Sequence, residues 1–332
     1  MEDRTRVLEP VVAALAAGLV VLVTLLGLIG TAIRDPRPHD IPVGLVGPAP
    51  ALQQMTTGFD AKAPGTFTFT TYTSEDQARA GIDARDVDAV LVVGAGAPHL
   101  IVAGAAGDAV TGVITAVFTG AFAAQGAQLS VEVTHPFAAG DPHGLVLFFL
   151  VLATIVSTFV AQVVLFVRGR AARLALWLAV VGGWSVLAGL VGVGMAAWIV
   201  GGYDTTGAAA MVGLVALASL AAGAVIAGLS RLLGAPGIGL AGLVVVLLNL
   251  ISSGGPAGAQ FLPDAYRALS PWMPAGQLFS ALRGALYFDG QGAAAPVLLM
   301  AGWLVVGLLL MLLGQAVRGR VHSAAAMPAV AR

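Results

Sequence analysis

Thr154, Thr158 and Gln162 recur at every fourth position of an otherwise apolar stretch, with Ser157 beside them. At the end of another such stretch Asn249 leads into Ser252 and Ser253. The spacing i, i+4, i+8 puts the first set on one face of a helix, as a polar stripe among Leu, Val, Ile and Phe. Neutral hydroxyls and amides of this kind have two uses inside a membrane. They can line a route for a passing molecule, or they can hydrogen-bond between helices and back to the i−4 carbonyl. Both readings are open from the sequence.

Harder chemistry has less to stand on. The chain has no cysteine, so disulfides, thiolate nucleophiles and Cys-based metal sites are excluded. The five histidines lack metal-ligand spacing, and neither G-x-S-x-G nor H-E-x-x-H occurs. In "HPFAAGDPH", His135, Asp141 and His143 cluster just ahead of an apolar run and read as a solvated hinge. Gly237, Gly239 and Gly242 spell a formal G-x-G-x-x-G, but within an apolar stretch with no preceding strand they read as close helix packing. The expectation is a non-enzyme with no cofactor and no bound metal.

Composition names the solvent. Of 332 residues, 58% are hydrophobic and 10% charged, where a soluble domain carries about a quarter. Mean hydropathy is +0.93. Net charge is −1 and no basic cluster points to nucleic acid. Six uncharged stretches can cross roughly 30 Å of hydrocarbon: 10–33, 144–167, 174–200, 207–230, 232–251 and 293–317. The first, with acids in its charged flank and no small-x-small site after it, reads as an uncleaved anchor. Gly234, Pro236 and Gly237 interrupt the start of the fifth, which is expected to begin near Pro236.

With a cytoplasmic N-terminus, segments 1–9, 168–173, Arg231 and 318–332 hold nine arginines against three acids. Segments 34–143, 201–206 and 252–292 hold seven basic residues against fourteen acids. That asymmetry places both ends inside and residues 34–143 outside. No Asp, Glu, Lys, Arg or His falls within the six stretches so drawn, which argues against a proton- or sodium-coupled carrier.

Residues 34–143 form the one long soluble segment. Strands are expected at 41–46, 66–72, 88–93, 99–104 and 129–133, and helices at 49–60, 75–84 and 108–125. In the last helix Val110, Val113, Ile114, Val117, Phe118 and Phe122 make one apolar stripe, with Asp108 at the N-cap place. Alternating strands and helices favour a partly parallel sheet. Between the fifth and sixth stretches, 252–292 is broken by Pro263, Pro271 and Pro274 and cannot span. From Pro274 onward Leu278, Phe279, Leu282 and Leu286 share a face with Arg283 at its edge. This reads as a re-entrant or interfacial helix, its arginine free to snorkel, with Tyr266, Trp272 and Tyr287 at headgroup level.

The expected fold is therefore a polytopic α-helical membrane protein of six transmembrane helices. A small extracytoplasmic α/β domain (34–143) sits between helices 1 and 2, and a re-entrant segment (252–292) between helices 5 and 6. The domains run 1–33, 34–143, 144–317 and a cytoplasmic tail at 318–332.

That re-entrant segment, "SSGGPAGAQFLPDAYRALSPWMPAGQLFSALRGAL", resembles the membrane-embedded end of type-2 ABC exporter permeases, in particular the phage-infection-protein-like (YhgE/Pip) branch. Gly254, Gly255, Leu262-Pro263, Leu269 to Pro271, Pro274 and Leu282 to Gly284 fill the places of that pattern; Pro256-Ala257-Gly258 departs from it. The resemblance implies a bacterial plasma-membrane export permease working as a homodimer or paired half-transporter, and spans drawn free of ionisable residues fit a lipid-like or amphipathic cargo. It implies that the second and fifth spans line the route, making Thr154, Ser157, Thr158, Gln162, Asn249, Ser252 and Ser253 the candidate lining. It also implies a separate cytoplasmic ATP-binding subunit, since no G-x-x-x-x-G-K-[ST] occurs here. Arg168, Arg170, Arg173 and Arg231 would form its coupling surface, or else merely set topology. The same branch implies a rival role: a non-transporting receptor or scaffold acting through its outer domain.

Overall fold

The computed structural model describes residues 2–94, 96–169 and 173–325. A long helix α1 (Glu2–Ile33) leads into an α/β unit, which returns to a bundle of apolar helices. The unit runs β1 (Ile41–Val46), α2 (Ala49–Lys62), β2 (Phe67–Tyr72), α3 (Glu75–Asp83), β3 (Ala89–Val92), β4 (His99–Ala103), α4 (Asp108–Ala123) and β5 (Ser130–Thr134). Every expected strand and helix of this segment is present to within two residues.

The sheet order is β2-β1-β3-β4-β5, parallel throughout except for the antiparallel β3/β4 pair. On one face α2 and α4 bury Leu52, Ile114 and Phe118 against Val43, Leu45 and Leu91. On the other, Ala78 and Ile82 of α3 cover Val90 and Ile101. Strand residues covered on both sides in this way read as continuous aliphatic runs. Ser74 caps α3, accepting from Gln77 N at 3.3 Å. Asp108 does not cap α4: the N-cap is Gly107, at φ 134°, and Asp108 is the first helical residue, facing His143 Nδ1 at 3.2 Å. Glycine supplies the left-handed backbone at that turn, and the carboxylate is left for a neighbour.

Beyond the α/β unit lie α5 (Leu145–Arg168), α6 (Leu174–Val200) and α7 (Thr205–Leu233). A composite helix follows, made of α8 (Ala235–Ala241), a π-helical segment (Gly242–Leu248) and α9 (Asn249–Ser252). Short α10 (Asp264–Leu269) and α11 (Pro274–Tyr287) precede the final helix α12 (Ala294–Ala325). Among the described residues five helical stretches are long and apolar enough to cross a membrane: α5, α6, α7, Ala235–Ser252 and Ala294–Val317. Within α1 the apolar run Gly18–Ala32 is shorter.

The most deeply buried of these is α7, because half of its buried residues are Ala or Gly, clustered from Ala218 to Gly228, and its neighbours close onto the backbone there. A Cβ added at Gly307 of α12 would meet Val225 N at 2.5 Å, and one at Gly228 would meet Leu310 Cβ at 2.5 Å. The G-x-G-x-x-G run is packing at two of its three glycines. Gly237 lies on the Leu229 carbonyl and Gly242 on the Phe159 ring, while Gly239 faces open space.

Two expectations about the spans change. The fifth begins at Ala235, as its proline requires, but contains a seven-residue π segment that no periodicity announces. And α7 extends past Ser230, so it carries Arg231 in its last turn, 6% exposed. A span with a buried arginine is not free of ionisable groups.

Candidate functional site

The candidate lining residues occupy five different environments. Thr154 and Ser157 border a groove of about 350 Å³ between α5 and α6, closed by Trp184, Leu187 and Val191. Both hydroxyls bond back to their own helix, Thr154 Oγ1 to Leu150 O (2.7 Å) and Ser157 Oγ to Ala153 O (2.5 Å). Thr158 is fully buried: Trp184 Nε1 donates to its Oγ1 at 3.1 Å, and Ser219 Oγ lies 2.8 Å away. Ser252 and Ser253 back-bond to Leu248 O and Leu250 O. For these hydroxyls helix–helix and back-bonding uses account for the polarity. Trp184 and Ser219 were not singled out in the sequence, since a lone Trp or Ser in an apolar run carries no spacing signal.

Gln162 is different. It is 1% exposed, wedged between α5 and α7 beside Gly223, and neither Nε2 nor Oε1 has a hydrogen-bond partner among the described residues. An unpaired buried amide costs about 1–3 kcal/mol. Gln162→Leu is therefore expected to raise the thermal stability of the purified protein by an amount in that range. A fall in melting temperature would show that the amide is bonded in the membrane after all.

Asn249 uses both ends of its amide. Nδ2 donates to Val245 O in the π segment (3.0 Å), and Oδ1 accepts from Ala275 N (2.7 Å). Pro274 opens α11 without an N–H, so Ala275 N is the first donor of that helix needing a partner. Asn249 thus fixes the start of α11 to the composite helix Ala235–Ser252. It is fully buried inside the chain.

From there α11 runs beneath the α/β unit and holds it. Arg283 does not snorkel. Its Nε is shielded from solvent, its Nη1 donates to Ala106 O and lies 3.4 Å from Ala105 O, and its guanidinium stacks 4.8 Å over Phe279. Arg85 reaches down from the unit to Ser280 O (2.9 Å) and Ser280 Oγ (3.1 Å), over the Phe288 ring at 5.1 Å. Asp88 sits near both arginines with its Oδ2 buried and unpaired. Burial pushes its carboxyl up to about 6, against the opposing pull of Arg283 and Arg85. Burial also lowers Arg85 from the ordinary guanidinium range.

The "HPFAAGDPH" segment belongs to the same seam and is no solvated hinge. His135 stacks on Phe288 at 4.7 Å, with Nδ1 2.8 Å from Tyr287 O and Nε2 2.8 Å from Asp83 Oδ1. Asp141, 4% exposed, accepts from Leu145 N and Val146 N at 2.8 and 2.9 Å and so starts α5. Gly140 packs on the Val200 carbonyl, where a Cβ would collide.

Of the headgroup-level aromatics, Trp272 is 66% exposed. Tyr287 packs edge-on against Phe137, and Tyr266 Oη donates to Leu28 O of α1 (3.1 Å) beside Thr31 Oγ1 (2.7 Å). In the re-entrant pattern Gly254 (φ 75°) and Gly255 (φ 56°) adopt left-handed backbone, which turns the chain after α9. Pro263 is the N-cap of α10, and Pro271 stands in the short 3₁₀ turn before α11.

At the opposite end Arg168 and Arg173 are exposed and flank the turn between α5 and α6; Arg170 lies outside the described residues. Arg231 is not part of that surface, because it folds inward and stacks 5.2 Å over Trp177. Comparison of the chain with protein-family models, with curated proteins and with solved structures finds no match to any of them.

Proposed function

We propose that the chain is the membrane-embedded permease subunit of an exporter of the type-2 ABC kind. In this reading it has six spans, with α1 as the first and both ends cytoplasmic in a bacterial plasma membrane. The α/β unit is extracytoplasmic, and a separate ATP-binding subunit drives a homodimer or paired half-transporter that moves a lipid-like or amphipathic cargo outward. The observation that carries the proposal is the continuous link from the fifth span through Asn249 to α11, and through Arg283 and Arg85 to the α/β unit. A rearrangement of the spans would reach the outer unit along packed, hydrogen-bonded parts, as an exporter requires. Thr154 and Ser157, on the α5/α6 groove, are the lining candidates best placed to meet a cargo within the membrane.

A receptor or scaffold is the second reading, favoured by one feature. Strand β5 is an open sheet edge with Val131 and Val133 41% and 59% exposed, a surface on which a partner strand could add.

Purification from native membranes through a C-terminal tag separates the two. The exporter reading expects a stoichiometric ATP-binding subunit, lost when Arg168, Arg170 and Arg173 are together replaced by glutamine. A homo-oligomer without an ATPase, reproduced after crosslinking, would sink it.

A further inference from the structure

The α/β unit carries a trough that none of the contacts above uses. The chain leaves β1 through α2 toward β2 on one side, then crosses back through α3 to β3 on the other. The connections after β1 and β3 therefore diverge, and in open α/β sheets the crevice at the carboxyl ends of such strands is where ligands bind. At this point Gly47 brings the end of β1 so close to β3 that a Cβ there would meet Val93 O at 2.5 Å. Beside Val93, between α2 and the end of α4, lies an open trough of about 420 Å³, within the size range of small-molecule sites.

Its lining is divided by chemistry. Met55, Phe59, Val93 and Phe122 make an apolar floor, while Gln54, Gln125 and Lys62 stand at the rim. The trough exists because Gly58 and Ala121 place almost no side chain in it. Lys62 is the only lysine of the chain and is exposed; it has no ion pair among the described residues, and no acid lines the trough. The lining stripe of α2 runs from Ala51 to Lys62, about 16 Å at 1.5 Å per residue. A phosphate held at the start of α2, the common arrangement on such sheets, is poorly served here because Pro50 removes a first-turn N–H. Side chains, not a helix terminus, must read the polar end of a ligand.

We propose that this trough binds an elongated amphiphile with a single anionic head group, a fatty carboxylate or an alkyl phosphate. The head pairs with Lys62 and the chain lies over Met55, Phe59 and Phe122. The site does not depend on the exporter reading, because its test reads binding alone.

The full chain in phosphatidylcholine nanodiscs is photolabelled with a diazirine-bearing dodecanoate, and the labelled peptides are identified by mass spectrometry. Label is expected in 51–62 and 121–125. Dodecanoate or dodecyl phosphate should displace it at about tenfold lower concentration than dodecanol, and whichever displaces better identifies the head group. Lys62→Met should erase that preference. Gly58→Leu should abolish the labelling while keeping the fold, since a Cβ at Gly58 meets nothing within 4 Å and leucine is the better helix former. Equal displacement by dodecanol overturns the anionic head group. Labelling that survives in a folded Gly58→Leu protein overturns the site.

Discussion

Replacing Arg283 with alanine is expected to weaken the hold of α11 on the α/β unit by about 2–3 kcal/mol, the cost of removing buried hydrogen bonds from a charged donor and leaving their acceptors unpaired. Three contacts disappear together: the hydrogen bonds to Ala106 O and Ala105 O, the stacking on Phe279, and the favourable field at Asp88. The carbonyls and the Asp88 carboxylate stay in the seam without their cation. Arg283→Lys should recover only part of the loss, because an ammonium cannot stack flat on Phe279 while reaching two carbonyls. Limited proteolysis of the folded protein in nanodiscs gives the readout, with cleavage expected in 135–144, the stretch that Tyr287 and Val200 now cover. Adding Asp88→Asn to Arg283→Ala should restore part of the protection, since the stranded charge is then gone. Unchanged protease resistance in Arg283→Ala would show that the seam is held without Arg283, by Arg85, His135 and the apolar contacts.

The second large effect is a pH dependence centred on Asp88. Its folded pKa, raised from 3.8 to about 6 by burial, means that the folded chain binds a proton more tightly than the unfolded chain. The ionised carboxylate is a liability fully present above about pH 6, relieved as pH falls toward 4. Stability should therefore decline as pH rises through that window, by at most about 3 kcal/mol at 1.36 kcal/mol per unit. Asp88→Asn should remove this slope and stabilise the protein at pH 7.5. Thermal unfolding of both proteins between pH 4.5 and 7.5 decides it. A wild-type slope retained in Asp88→Asn would show that Asp88 is not the group responsible.

The apolar spans and the strands and helices of the α/β unit were legible because each rests on local information. A run of twenty uncharged residues has one low-energy solvent, and residues such as Ile114 and Phe118 recur at the helical period whatever they pack against. The break after α9 was equally local, since Pro263, Pro271 and Pro274 forbid a continuous helix. The polar stripe of α5 was visible as a pattern, but its meaning was not. Thr158 meets Trp184 and Ser219 from two other helices, whereas Gln162, one turn on, has no hydrogen-bond partner among the described residues.

By itself, then, the sequence determined a membrane-embedded chain with one α/β unit and a proline-broken segment between its last two apolar stretches. Tertiary structure alone decided where the charges went. Arg283 and Arg231 have the flanks of ordinary membrane-edge arginines, yet one is enclosed against the Ala105 and Ala106 carbonyls and the other against Trp177. Spacing along a chain fixes which face a side chain occupies. Whether that face meets water, lipid or a carbonyl nearly 180 residues away is set by how the elements pack, and a buried cation is tolerated only where packing supplies its partners.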